Sequence, residues 1–213
     1  MICLEGINGA GKTSVADELQ VAMTRGGLSA KVLHDPGSTP IGERIRALVK
    51  DPAVPMAPMV QMLLYTTARV ALAEEVKKLI RAGTWVIMDR WWPSTYAYQG
   101  ALGVPVHLIL ELNYMLMPKE ALTTKWLTFF LDVPVDVAME RSGATKPKGI
   151  EGGGDRHETQ GQKFWEDVAE AYGDLVDLNY MTRINVMGYG SPKDVATGIW
   201  WRIAGGESPQ VDG

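Results

Sequence analysis

Five short apolar runs alternate along this chain with segments whose apolar positions recur every three or four residues. The runs fall at 1–5, 30–34, 85–88, 126–131 and 183–187, which is strand length. Between the first two, Val15, Leu19, Ala22 and Met23 share one face of a helix predicted from Lys12 to about Arg25, and Gly26-Gly27 stops it. Thr39 ahead of Pro40 predicts the next helix start. A proline-broken stretch at 51–58 then leads into a long helix that ends near Ala82, before Gly83. Further helical segments are expected at about 94–117, interrupted near 100–105, and just after Pro134. Another is expected at about 158–180, with Phe164, Val168, Tyr172, Leu175 and Val176 on one face, and a last one follows the Ser191-Pro192 start signal. Strands that alternate with helices in this way predict an α/β fold in three layers, a five-stranded parallel sheet with helices on both faces. Ligands of such sheets bind beyond the carboxyl ends of the strands.

Composition narrows the class without changing the fold. The 213 residues suit one domain, expected over 1–204, with a loose tail at 205–213. Twenty-one basic against 25 acidic residues leave a net charge of −4, which does not suit a general binder of nucleic-acid backbone. Cys3 is the single cysteine, so no internal disulfide forms, and its apolar run reads as core. The chain shows neither a membrane-length apolar stretch nor a signal peptide, and a cytoplasmic protein is expected.

The first candidate chemistry lies directly after the first strand. Residues 6–13 read GINGAGKT and match G-x-x-x-x-G-K-[ST], between an apolar strand and an amphipathic helix. Glycines let the backbone wrap a phosphate with its amides pointing inward, and the helix N-terminus adds positive potential. This places Gly6, Asn8, Gly9, Ala10, Gly11, Lys12, Thr13 and Ser14 around a nucleoside triphosphate, expected to be ATP. Lys12 is expected to reach the β- and γ-phosphates, and Thr13 to ligate Mg²⁺. The fold expectation sharpens accordingly to a P-loop NTPase.

The third run ends in Asp89 followed by Arg90. The acid suits the environment of a metal, and the guanidinium would face the same phosphates; a helix-capping acid beside a surface arginine is the plainer alternative. On the long helix, Met62, Tyr65, Arg69, Leu72, Val76 and Ile80 form one stripe, so Arg69 interrupts an apolar face. A buried guanidinium needs a partner. Either a carboxylate elsewhere pairs with it, or the stripe borders a ligand pocket.

Three further segments, DPGSTPIGERIRALV at 35–49, DRWWPSTYAYQG at 89–100 and DRHETQGQKFWEDVAEAYGDL at 155–175, join GINGAGKT and MLLYTTAR. In that order and spacing the set resembles the bacterial thymidylate kinase family, from residue 1 to about 203. The resemblance implies transfer of the ATP γ-phosphate to a nucleoside monophosphate, most simply dTMP, by a homodimer that needs Mg²⁺. It implies that Tyr65 stacks on the base, that Arg69 bonds its carbonyl, and that Thr95 and Gln99 read its edge. Tyr98 would sit beside the deoxyribose, with Arg46 and Asp35 at the acceptor pocket and Arg90 on the acceptor phosphate. A lid at 143–157, with Arg141, Lys146, Lys148 and Arg156 near it, would bring cations to the transferring group, and Lys12, Arg90 and Arg156 form the expected catalytic set.

Some positions depart from that family's pattern. Asn8 stands where an acid is usual, and residues 34–38, HDPGS, replace Arg-Glu-Pro-Gly-Gly. Trp91 and Trp92 are bulky where relatives are less crowded. Two rivals stay open on the sequence: a deoxynucleoside kinase acting on a sugar hydroxyl with Asp35 as base, and a nucleotide-binding regulatory protein without turnover.

Overall fold

The computed structural model describes residues 1–117, 126–143 and 156–205. Five strands, β1 (Ile2–Glu5), β2 (Ala30–His34), β3 (Trp85–Asp89), β4 (Leu127–Asp132) and β5 (Thr182–Asn185), form one parallel sheet in the order β2-β3-β1-β4-β5. The helices are α1 (Lys12–Arg25), α2 (Pro40–Lys50), α3 (Pro58–Arg81), α4 (Trp92–Ala101), α5 (Val106–Leu116), α6 (Val135–Ser142), α7 (Gln162–Asp177) and α8 (Pro192–Ile203).

Apolar residues on the central strands alternate between two clusters. Ile2, Leu4 and Ile87 join Leu19 of α1, Trp165 and Val168 of α7 and Ile199 of α8. Met1, Cys3, Val86 and Met88 instead join Leu72, Ala73 and Val76 of α3. Both sheet faces are therefore covered, which is why these strands read as continuous apolar runs rather than as alternating ones.

The start signals act as the side chains dictate. The Thr39 hydroxyl accepts the Gly42 N–H at 3.0 Å, and Ser191 caps α8 with Pro192 at its first position. Some boundaries differ from expectation. Residues 156–159 form a separate 3-10 turn, and α7 begins only at Gln162, after Gly161. It ends at Asp177, and Asn179 takes a left-handed φ of 60°. The last strand stops at Asn185, whose side chain accepts the Met187 N–H at 3.1 Å and turns the chain into a second 3-10 turn, Val186–Gly188. Of the expected lid, 144–155, including Lys146 and Lys148, lie outside the described residues, as do 206–213 of the expected tail. No helix among the described residues is long and apolar enough to cross a membrane.

The register locates the site. Asp89 pairs with Leu4 on one side and with His34 on the other. Three loops therefore open side by side beyond the strand ends: the glycine turn, the Arg90 turn and the Asp35-Pro36 turn.

Candidate active site

A cavity of about 560 Å³ lies beyond those strand ends. Its walls include Asn8, Gly9, Gly11, Lys12, Thr13 and Ser14 at one side and Tyr65, Arg69, Thr95, Tyr98 and Gln99 at the other, with Asp89 and Arg90 also lining it. Among the described residues, six basic side chains (Lys12, Arg46, Lys50, Arg69, Arg90, Arg141) line it against two carboxylates, Asp35 and Asp89. A chain of net negative charge thus presents a positive cleft, the field an anionic ligand needs.

The glycine turn is held open by its backbone. Gly9 has φ 87°, and a Cβ there would stand 2.1 Å from the Ala138 carbonyl oxygen of α6. Gly11 has φ 88° and caps α1, and a Cβ there would meet nothing within 4 Å among the described residues. The first position is therefore closed to side chains by packing, whereas the second borders open space. Lys12 is buried and its ammonium donates to the Ile7 carbonyl at 2.9 Å, so it lies folded along the turn. Burial, together with the nearby Arg90, pulls its pKa from 10.5 down to about 7, against the pull of Asp89 and Glu5. The Thr13 hydroxyl donates to Asp89 Oδ2 at 2.6 Å, bringing a hydroxyl and a carboxylate together at the root of the turn.

Arg90 reaches back across β1. One nitrogen donates to the Gly6 carbonyl at 2.9 Å and Ser94 Oγ at 2.9 Å; the other donates to Asn8 Oδ1 at 2.6 Å and the Tyr98 phenol at 3.1 Å. Its guanidinium also lies over the Tyr98 ring, 5.0 Å from the centroid. Burial works against the Arg90 charge, but Tyr98, Tyr172, Asp89 and Glu5 outweigh it, and the pKa is raised. Asn8, where the sequence lacks the usual acid, serves as a neutral acceptor for this arginine.

At the other end Arg69 is buried, and both readings of its stripe hold. Its Nε donates to Asp35 Oδ2 at 2.6 Å, while Nη2 donates to Thr95 Oγ1 at 2.8 Å and to the Trp91 carbonyl at 3.3 Å. It also lines the cavity. Burial pushes the Asp35 carboxyl upward, and the Arg69 guanidinium opposes that shift. Asp35 Oδ1 and the Gln99 side-chain amide nitrogen are buried and have no hydrogen-bond partner among the described residues. They leave one acceptor and one donor for a ligand, beside Tyr65, which supplies a flat ring. Arg46 lines the same wall and donates to the Pro36 carbonyl at 2.8 Å.

Most of the sequence-predicted site residues thus converge on one cavity. Arg156 does not: its guanidinium donates to the carbonyls of Val49 at 3.1 Å, in the last turn of α2, and of Asp51 at 2.6 Å and Val54 at 2.5 Å, in the connection to α3. A sequence shows an arginine beside a glycine-rich segment but not which carbonyls will capture it. Gly6 and Ala10 also do not line the cavity; Ala10 is buried in the core, and Gly6 packs against the Leu131 carbonyl. The structure also puts into the wall residues that the sequence had given no site role: His34, Pro36, Lys50, Ser94, Ser142 and His157. His157 is 4% exposed and stacks on Phe164 with centroids 5.7 Å apart. In the sequence it stood at the end of the expected lid, 143–157, with no role of its own.

The family model described as thymidylate kinase matches residues 4–193. A thymidylate kinase of Alkalilimnicola ehrlichii is 34% identical over 194 residues, covering 90% of this chain and 85% of that protein. One from Pelodictyon phaeoclathratiforme is 33% identical over 183 residues, 84% of this chain and 83% of its own length. One from Pseudomonas putida is 36% identical over 174 residues, 80% and 79% respectively.

Proposed function

The chain belongs to the thymidylate kinase family, and from that premise we propose how its cleft moves the γ-phosphate of ATP onto dTMP. The observation that carries the reading is the single cavity that joins the glycine turn to the Tyr65, Arg69, Thr95 and Gln99 wall, with Arg90 between hydrogen-bond partners from both sides. The donor would sit on the turn, its β- and γ-phosphates reached by Lys12 swinging off the Ile7 carbonyl. The acceptor base would lie against Tyr65, with Arg69, Thr95 and Gln99 at its edge, Tyr98 beside the sugar, and Arg46 and Asp35 on the pocket wall. Arg90 would hold the acceptor phosphate.

An oxygen of that phosphate attacks the γ-phosphorus, and ADP leaves. The attacking oxygen is already anionic, so the cleft's task is alignment and charge neutralisation rather than proton removal. The hydroxyl-acceptor rival with Asp35 as base is not favoured, because the matching family model and the relatives are thymidylate kinases by name. The turnover-free rival is not favoured either, because the relatives are kinases by name.

The Thr13–Asp89 pair suits a Mg²⁺ ion that is otherwise coordinated by water and substrate phosphates, the usual arrangement for this ion. Such an ion would neutralise charge on the donor phosphates. One unit spanning 1–204 carries these parts. It would pair with a second copy through an apolar surface near α3, where Met59, Val60 and Leu63 of that helix and Val106, Tyr114 and Met115 of α5 are exposed. Light scattering after size exclusion should then give twice the chain mass; a monomer at micromolar concentration would refute the pairing.

The activity is tested with a panel of nucleoside monophosphates, with thymidine included, assayed with MgATP. The expected result is dTMP consumed with the highest kcat/KM and thymidine left untouched. Consumption of thymidine in preference to dTMP would overturn the assignment.

A further inference from the structure

Beneath the glycine turn sits a carboxylate that neither the phosphate motif nor the acceptor wall accounts for. Glu5 closes β1, is fully buried and does not line the cavity. Its Oε1 accepts the Trp91 backbone N–H at 2.7 Å and the Cys3 thiol at 3.6 Å. Its Oε2 accepts the Ser94 hydroxyl at 2.6 Å and the Tyr172 phenol at 3.0 Å. A carboxylate removed from water is retained only where charge and hydrogen bonds compensate it.

The compensating charge is Arg90, and the two communicate through shared hydroxyls. Ser94 Oγ and the Tyr172 phenol, which donate to Glu5, accept from Arg90 Nη1 at 2.9 and 3.3 Å. The backbone tells the same story. Arg90 takes φ 75°, a conformation that side-chain-bearing residues avoid. Two anchors on β1 hold that turn: the Arg90 N–H on the Leu4 carbonyl at 3.0 Å, and the Trp91 N–H on Glu5.

We propose that Glu5 is a positioning residue for phosphoryl transfer: its buried carboxylate fixes the turn at 90–91 and the Ser94 and Tyr172 hydroxyls, and so presets the Arg90 guanidinium before substrate arrives. The inference rests on the reading of Arg90 as the cation of the acceptor phosphate. Preorganised charge costs no rearrangement during the reaction, so loosening Arg90 should slow transfer without disturbing the donor site.

Steady-state kinetics of Glu5→Gln, Arg90→Ala, the double variant and Tyr172→Phe test it. Glu5→Gln keeps the size of the side chain but removes its charge. It should lower kcat/KM for dTMP by about tenfold or more, with KM for ATP within about threefold of the parent. In the Arg90→Ala background the same change should cost less than about twofold, because its effect passes through Arg90. A general structural defect would multiply instead. Tyr172→Phe retains the ring stacked on Phe130 at 5.1 Å, so it reads the same network if Glu5→Gln fails to fold. It should lose about three- to tenfold on the same parameter.

The inference is overturned if Glu5→Gln is within about twofold of the parent, if Tyr172→Phe is so when Glu5→Gln does not fold, or if the Glu5 loss persists in full without Arg90. An Arg90→Ala enzyme with parental kcat/KM would remove the underlying reading of Arg90. A crippled Arg90→Ala beside an intact Glu5→Gln would remove only the role of Glu5.

Discussion

Lys12 shows how one burial changes the chemistry of a side chain. Its ammonium falls from an ordinary 10.5 to about 7 because burial disfavours the charge. Between those values the unfolded chain binds the proton and the folded protein does not, so this residue's contribution to stability rises with pH across that window. Below about 7 the cost of burying the charge is present in full. A triphosphate on the turn restores the charge, so ATP binding should take up a proton at pH 8–9, up to about one per site. Calorimetry in two buffers of different ionisation enthalpy reads that uptake directly, and affinity should weaken as pH rises. Equal heats in both buffers would contradict the assignment of Lys12 to the phosphates. Arg69 makes the complementary point. Its place on an apolar stripe announced a buried cation, but Asp35 lies 34 residues away in sequence and only folding brings it to 2.6 Å.

The element that governs the site is the turn from β1 into α1 together with α6 above it. Gly9 is enclosed by the Ala138 backbone as well as held at φ 87°. Gly9→Ala should therefore move the turn or α6, with a loss of about 2 kcal/mol or more in unfolding free energy and a larger loss in ATP affinity. Urea melts and nucleotide titration measure the two separately; an unchanged midpoint would show that α6 yields freely. Gly11 poses no such packing conflict, so its substitution acts through φ 88° and the phosphate approach alone. The glycine motif was legible in the sequence because its spacing is local. Which glycine is locked by packing was not, since Ala138 belongs to a helix 129 positions further along.

For the whole molecule, the central feature is a positive cleft in an acidic chain, placed where three parallel strands end in register. Cations confined there repel one another until an anion arrives, so acceptor binding should stabilise the fold measurably. With dTMP at about one hundred times its Kd, stabilisation is about 2.7 kcal/mol. That corresponds to a thermal shift of roughly 5–11 °C for a chain of this size. Thymidine at the same concentration should give a smaller shift, because it lacks the phosphate that Arg90 would hold. Scanning fluorimetry distinguishes the two, and equal shifts would argue against Arg90 as the phosphate cation.

The alternation of apolar runs with helical periodicity determined the parallel α/β sheet, because strand and helix patterns are set by short-range geometry. The glycine motif determined the phosphate turn for the same reason, and the ordered set of segments identified the family. Tertiary structure alone decided the partners of the buried charges: Asp35 for Arg69, the carbonyls of the α2–α3 connection for Arg156, and Glu5 behind Arg90. Glu5 was hidden at the end of an apolar run, where nothing local distinguishes a capping acid from one that organises an active site. Ion pairs and hydrogen bonds between distant segments depend on which loops the sheet order brings together, and a linear pattern does not contain that order.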